Sequence, residues 1–398
     1  MIKRGIIVIF GVLILFSCIF ALNISALNTL SQTKEGDVLK LTSQSAVLME
    51  PLTGTVIYEK NSHERLRPAS VTKIMTLLLI YDAVESGKIG WDDEVVISEN
   101  ASGMGGSQVY LEMNEVQTVG TLTKCIAVAS ANDGAVAMAE YVGGSEIGFV
   151  HMMNQKAKAL GMNDTNFENA SGLDADNHYT SAYDIALMSR ELTQKYPEVF
   201  DYTTIWMDTI IHNTKRGAEE FGLTNTNKLL QWYDGATGLK TGSTSLAKYC
   251  LAGTATRNDL DLIAVVMAAP DFKVRFKEVM NMFDYGFAVC KKYKDPVGSQ
   301  EMGNLRVRRG VEEDINVVAK EDFNFVLTVA NYDENKIKKE IVLPEYLDAP
   351  VVKNQKIGDL VYFYDGKEIG KVDIVVLSDV NKARFSDYLK TVFENYVR

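Results

Sequence analysis

Apolar and polar positions change their period in blocks along this chain of 398 residues. Ser45 to Glu50 and Thr55 to Glu59 are short apolar-rich runs joined by Leu52-Thr53-Gly54, which predicts a β-hairpin. Pro68-Ala69-Ser70 then opens a helix from Val71 to about Ser86. Its residues Ile74, Met75, Leu77, Leu78, Leu79 and Ile80 make it apolar nearly all round, the mark of a helix in mid-core. From there to about residue 230 the pattern is mostly helical. Leu122–Ala129, Asp133–Val142, Glu146–Leu160 and Ser181–Tyr196 are the main stretches, and Gly143-Gly144, Gly161 and Pro197 stop the last three. Strand signals return at about Ala236. Tyr249–Thr256 and Leu260–Ala268 flank the turn Arg257-Asn258-Asp259, and Pro270-Asp271 starts a helix to about Tyr293. Strands early and late with helices between predict an α+β fold, one antiparallel sheet interrupted by a helical insertion.

Pro296 marks a boundary. Beyond it lie short alternating runs at Leu305–Arg308, Asn316–Val318, Phe323–Val329, Ile337–Leu343 and Val361–Tyr364. The last meets Ile369–Val376 across a loop containing Asp365-Gly366. They predict a small all-β domain with no catalytic constellation, a spacer or stand. The tail, Asn381–Arg398, is helical, with Phe385, Leu389, Val392, Phe393 and Tyr396 on one face. Two readings fit it equally: a helix packed on the β domain, or an amphipathic helix lying at a membrane surface.

At the other end, Lys3 and Arg4 precede an apolar run of 18 residues, Gly5–Leu22, and then Ile24-Ser25-Ala26. This reads first as a secretory signal peptide cleaved near Ala26. A retained anchor comes second. A lipoprotein signal at Leu15-Phe16-Ser17-Cys18 comes last, because Phe16 is bulky. Each exports the rest of the chain to the extracytoplasmic side. The division is therefore 1–26 signal, 38–294 main domain, 295–378 β domain and 379–398 helix.

Composition narrows the function. A net charge of −11 without a basic block argues against nucleic acid as a partner. With 46% apolar residues the chain is not disordered. Four His make a His-rich metal site improbable, and no metal or cofactor is expected. After cleavage Cys125, Cys250 and Cys290 remain, an odd, widely spaced set that reads as buried thiols, with one bridge as the alternative.

Three segments carry chemistry. In Ser70-Val71-Thr72-Lys73, spacing i to i+3 sets the lysine amine one turn from the serine hydroxyl. A serine needs a base to become a nucleophile, and a lysine serves if burial or a nearby cation lowers its pKa. Ser31–Lys34 and Ser245–Lys248 match the same pattern, but only Ser70 starts a long buried helix. Ser130-Ala131-Asn132 lies between two apolar helices, where Asn132 or Asp133 can simply cap the next one. Ser98-Glu99-Asn100 shows that this pattern also arises casually. Functionally, Ser130 would relay a proton and Asn132 would hold a substrate amide. Lys240-Thr241-Gly242, followed by Ser243, opens a strand where glycine lets a backbone approach closely. Its bland alternative is a solvated turn lysine.

Each piece is modest alone. Their order and context, separated by 60 and 110 residues, are the signal. Pro68-Ala-Ser-Val-Thr-Lys-Ile-Met-Thr76, Met104-Gly-Gly-Ser107, Ser130-Ala-Asn-Asp133, Asn225-Thr-Asn-Lys228 and Asp234-Gly-Ala-Thr-Gly-Leu-Lys-Thr-Gly242 resemble the low-molecular-mass penicillin-binding proteins, the serine-type D-alanyl-D-alanine carboxypeptidases. The resemblance is close over about residues 40 to 290 and looser beyond. It implies a penicillin-binding-protein/β-lactamase-like domain acting on peptidoglycan stem peptides ending in D-Ala-D-Ala, with β-lactam antibiotics as covalent inhibitors. It further implies that Ser70 is the nucleophile and Lys73 its base. The oxyanion would rest on the N–H groups of Ser70 and Ser243. Ser130, with Lys240, would pass a proton to the leaving D-alanine, and Lys240 and Thr241 would receive the terminal carboxylate. Some members carry an arginine just before the Leu-Ile-Ala-Val-Val strand. Here Asp261 stands there, so that contact is not carried over.

Two competing classes stand beside this reading, and the first shares all three elements. A class A-like β-lactamase would need a carboxylate for deacylation; Glu168 lies at a tempting distance, but Phe167-Glu-Asn-Ala-Ser-Gly172 reads as a loop. A non-catalytic wall-associated scaffold would be expected to carry a damaged motif, and all three motifs are intact.

Overall fold

The computed structural model describes residues 38–214, 217–328 and 332–389. The signal segment, residues 1–26, and the second half of the tail, residues 390–398, lie outside the described residues.

The central sheet has five antiparallel strands: β1 (Ser45–Glu50), β2 (Thr55–Lys60), β3 (Ala236–Thr244), β4 (Lys248–Arg257) and β5 (Leu260–Ala269), in the order β2-β1-β5-β4-β3. Ladder pairs such as Val47↔Val265 and Lys240↔Ala252 fix the register. The early hairpin thus joins strands some two hundred residues later, and β3 is left at an edge. β1 is buried throughout, because both faces of the sheet are covered. Val47, Met49, Ile263 and Val265 belong to the core shared with the helical region. On the other face, Leu48 and Leu262 pack on Gly286 of a helix at Phe272–Val289. Successive side chains take opposite faces, which is the period-2 rule at work.

The helical insertion is built on α1 (Lys73–Glu85), with α2 (Val119–Val128), α3 (Asn132–Gly143), α4 (Glu146–Ala159) and α5 (Ala182–Lys195) around or near it. The helix at Phe272–Val289 is α6. Ile74, Met75, Leu77, Leu78 and Ile80 of α1 are completely buried, as an all-round apolar helix requires. Each such side chain contributes about 1.5–3 kcal/mol on burial, and truncating Leu78 to Ala costs about 2–5 kcal/mol. The expected helix start differs in detail: Ala69–Thr72 form a 3-10 turn, and the α-helix proper begins at Lys73.

Two stretches depart from the sequence reading. Met207–Thr214 and Gly217–Thr224 form a β-hairpin inside the region read as mostly helical. Ile210, His212 and Leu223 are buried and Phe221 packs partly against the core, too short an alternation to register. The helix expected to reach Tyr293 ends at Val289, and Cys290–Asp295 is a strand. Its partner, Phe323–Thr328, is distant in sequence, so local pattern could not reveal the pairing.

The C-terminal domain holds a six-stranded sheet in the order Ile337–Val342, Lys356–Tyr364, Lys367–Val376, Asp314–Ala319, Glu301–Arg308, Tyr346–Asp348. Asp365 and Gly366 both take positive φ (50° and 78°), the tight turn that Asp-Gly favours. Tyr362 is the largest fully buried side chain here; its ring stacks on Phe323 at 3.7 Å and its hydroxyl donates to Asp295 Oδ2. Cys125, Cys250 and Cys290 are buried free thiols, which removes the bridge as an alternative. No helix among the described residues is long and apolar enough to cross a membrane.

Candidate active site

The 3-10 turn sets Ser70 one turn before Lys73, and Lys73 Nζ lies 3.1 Å from Ser70 Oγ. Ser70 is half-buried and Lys73 fully buried. Two further acceptors hold the amine: Asn132 Oδ1 at 2.6 Å and the Ser171 carbonyl at 2.6 Å. Burial drives the Lys73 pKa well below the usual lysine value; the neighbouring Lys240 adds to this, and Asp133 opposes it. A lysine whose pKa is lowered in this way is a better base for a neighbouring hydroxyl than a solvated one.

Asn132 opens α3. Its Nδ2 donates to Gly105 O at 2.7 Å, and its backbone N–H donates to Ser107 O at 2.7 Å. Gly106 is required here: its φ is +81°, and a Cβ would sit 2.7 Å from Asn132 Nδ2. The helix start carries no side-chain cap. Asp133 instead accepts from the backbone N–H groups of Val109 and Leu111, pinning that segment to α3. Ser130 precedes Asn132 in a left-handed turn (φ +62°) and is buried.

Edge strand β3 runs past the Ala69–Thr72 turn at close range. A Cβ on Gly242 would lie 2.7 Å from Pro68 O, 2.9 Å from Val71 N and 3.0 Å from Ser70 N. Lys240 is buried, with its pKa lowered to about 7 by burial first and Arg275 second. Thr241 Oγ1 hydrogen-bonds Thr226 Oγ1 at 2.7 Å, which brings in the Asn225–Lys228 segment. Ser243 is exposed on the same strand.

The structure thus joins Ser70, Lys73 and Asn132 by direct contacts, sets Lys240 within electrostatic reach of Lys73, and lays Gly242 against the Ser70 backbone. Ser130 Oγ and the Ser243 side chain make no hydrogen bond to this network among the described residues. The look-alike motifs go elsewhere. Ser98 caps the short helix Glu99–Ser102, accepting from Ala101 N at 2.9 Å. Ser245–Lys248 straddles the β3–β4 turn, and Ser31 lies outside the described residues.

Sequence reasoning missed three contributors. Ser171 acts through a carbonyl, which no residue type announces. Asn169 Oδ1 accepts from Ser171 N and Gly172 N, and this turn aims that carbonyl at Lys73. Gly172 is obligatory, since a Cβ there would fall 1.9 Å from Ala69 O. Arg275, from α6, donates to Gly242 O at 3.0 Å and Cys250 O at 3.3 Å and packs on Tyr249, Phe272 and Phe276. A guanidinium does stand behind β3, supplied by a helix rather than by the position of Asp261. The third is His178, whose Nε2 lies 2.9 Å from Thr72 Oγ1, next to Lys73. Among the described residues no group of His, Cys, Asp and Glu is arranged to hold a metal.

Residues 30–271 match the D-alanyl-D-alanine carboxypeptidase family of peptidases, S11, and residues 296–382 match the penicillin-binding protein 5 C-terminal domain. The chain is 42% identical over 356 residues to the D-alanyl-D-alanine carboxypeptidase DacF of Bacillus subtilis (strain 168), covering 89% of this chain and 90% of that one. Penicillin-binding protein 5 from Haemophilus influenzae superposes with a TM-score of 0.74 at 32% identity, over 86% of this chain and 98% of that one. Penicillin-binding protein D2 from Listeria monocytogenes, solved in the ampicillin-bound form, gives a TM-score of 0.56 at 32% identity, over 63% of this chain and 100% of that one. With its α+β domain, its C-terminal β domain and these matches, the chain belongs to the S11 family of serine-type D-alanyl-D-alanine carboxypeptidases, the low-molecular-mass penicillin-binding proteins.

Proposed function

We propose that this enzyme removes the terminal D-alanine from peptidoglycan stem pentapeptides through an acyl-enzyme on Ser70, and that penicillins trap the same serine. The arrangement around Lys73 carries the proposal. A neutral amine has two hydrogens and one lone pair. Asn132 Oδ1 and Ser171 O, both at 2.6 Å, take the two hydrogens, and the lone pair is left for the hydroxyl of Ser70 at 3.1 Å. Ser70 Oγ then attacks the carbonyl carbon and its proton passes to Lys73 Nζ. The oxyanion meets the N–H groups of Ser70 and Ser243, a role supported by the close passage of Gly242 along the Ser70 backbone. As the C–N bond breaks, the departing amine receives a proton through Ser130, assisted by Lys240. Lys240 and Thr241 bind the terminal carboxylate, and Arg275 adds positive potential behind them. Water releases the shortened peptide.

The substrate class sets the location: a chain acting on peptidoglycan works outside the cytoplasm, in line with an exported protein. At the tail, Phe385, Tyr388 and Leu389 are exposed, which supports the membrane-surface reading over a helix packed on the β domain. The β-lactamase alternative loses support from Glu168, which is exposed and spends its carboxylate on Asn177 N at 2.9 Å.

Mass spectrometry of the protein after exposure to penicillin tests the proposal. One antibiotic should be found per chain, on the peptide containing Ser70, and Ser70→Ala should lose both the adduct and D-alanine release. A Ser70→Ala protein that still releases D-alanine would refute it. Rapid turnover of penicillin, at hundreds per second, would favour the β-lactamase.

A further inference from the structure

The loop that offers Ser171 O to Lys73 is bound to the catalytic helix at three consecutive contact points. Thr76 Oγ1 donates to Ala170 O at 2.7 Å, Lys73 Nζ donates to Ser171 O, and Thr72 Oγ1 meets His178 Nε2 at 2.9 Å. Thr72, Lys73 and Thr76 share one helix face by their spacing. The other nitrogen of His178, Nδ1, lies 3.1 Å from the backbone nitrogen of Glu168. An amide N–H can only donate, so Nδ1 is the acceptor and the proton sits on Nε2, directed at Thr72. His178 is buried, its ring edge-on to Phe167 at 5.7 Å. Burial first and Arg67 second push its pKa down to about 4. Arg67 is also tied to this loop, donating to Ala175 O at 2.6 Å, and the Glu168 carboxylate is turned away to Asn177 N. Protonation of His178 would set an N–H against the Glu168 N–H and break the bridge.

We infer that His178 is a positioning residue for catalysis: by bridging Thr72 Oγ1 and Glu168 N, it holds the Glu168–Gly172 loop at the distance where Ser171 O orients the Lys73 amine toward Ser70. It touches neither substrate nor nucleophile. The inference rests on the acyl-enzyme function proposed above and deepens it. Glutamine can replace a neutral imidazole in this role, offering one acceptor and one donor on a planar group. Phenylalanine keeps the ring but offers neither.

The test is the second-order rate constant for acylation by a penicillin, measured for the full chain and for His178→Gln and His178→Phe, alongside thermal melts. The Gln variant should stay within about threefold of the parent, and the Phe variant should fall by about tenfold or more, as expected for lost orientation. Below about pH 5 the parent should lose rate faster than His178→Gln, because only the imidazole can take up a proton there. Equal rates in the folded Phe variant and the parent would overturn the inference, as would a parent-to-Gln ratio that stays constant down to pH 4. The pH comparison decides the matter if the Phe variant does not fold. A parent protein that forms no adduct at Ser70 would instead refute the function itself.

Discussion

Gly242 passes so close to Ser70 that a methyl group on its Cα would sit 3.0 Å from the Ser70 nitrogen, although the two residues are 172 positions apart. Neither partner can yield, because both are backbone in a packed turn and a paired strand. In the proposed mechanism the oxyanion is held by the Ser70 N–H and by the N–H of Ser243, the residue after Gly242, so the spacing of these two backbones matters. Gly242→Ala should therefore lower penicillin acylation by about a hundredfold or more, since an oxyanion donor is worth that much. The melting temperature should fall by only a few degrees. Acylation kinetics beside a thermal melt measure both.

Lys73→Arg tests charge against basicity. Arginine supplies hydrogen-bond donors but is a permanent cation that does not deprotonate in a protein. Acylation should fall by about a thousandfold or more, the upper range for losing a general base together with its geometry. Retained activity would show that positive charge alone is needed at this position.

Lys240 gives a pH dependence of definite sign. Its lowered pKa, about 7, means that the free enzyme loses the cation as pH rises through neutrality. KM for D-Ala-D-Ala peptides should rise above about pH 7. Arg275 is the second cause of that lowering, so Arg275→Met should move the KM limb to higher pH. Steady-state kinetics between pH 6 and 9 read both shifts.

His178 also sets a stability profile. The unfolded imidazole takes up its proton near 6.5, the folded one near 4, so the unfolded state binds more protons between these values. Stability is therefore complete above about pH 6.5 and falls as the pH drops toward 4. The loss is on the order of 3 kcal/mol by linkage. Denaturant midpoints from pH 7 to 4 should fall for the parent more than for His178→Gln.

The parts of the fold that were legible in the sequence are those with long, consistent periods. The all-round apolar run of α1 and the buried strands β1, β4 and β5 announced themselves. So did the order of the three motifs, because serine, lysine, asparagine and glycine each have a restricted chemistry. The hairpin at Met207–Thr224 was hidden, since few of its side chains turn inward. Ser171 was hidden because a carbonyl has no residue-type signature. Arg275 and His178 were hidden for another reason: their roles depend on how α6 meets β3 and how a loop returns to α1, and no local spacing encodes either.

The proposed acyl transfer requires Lys73 to be a neutral amine aimed at Ser70. The direct measurement is an NMR titration of the full protein labelled at lysine Cε, with Lys73→Arg identifying the Lys73 resonance. That resonance should titrate well below the ordinary lysine midpoint of about 10.4 and respond to removal of Lys240. A Lys73 that titrates together with the surface lysines would contradict the account.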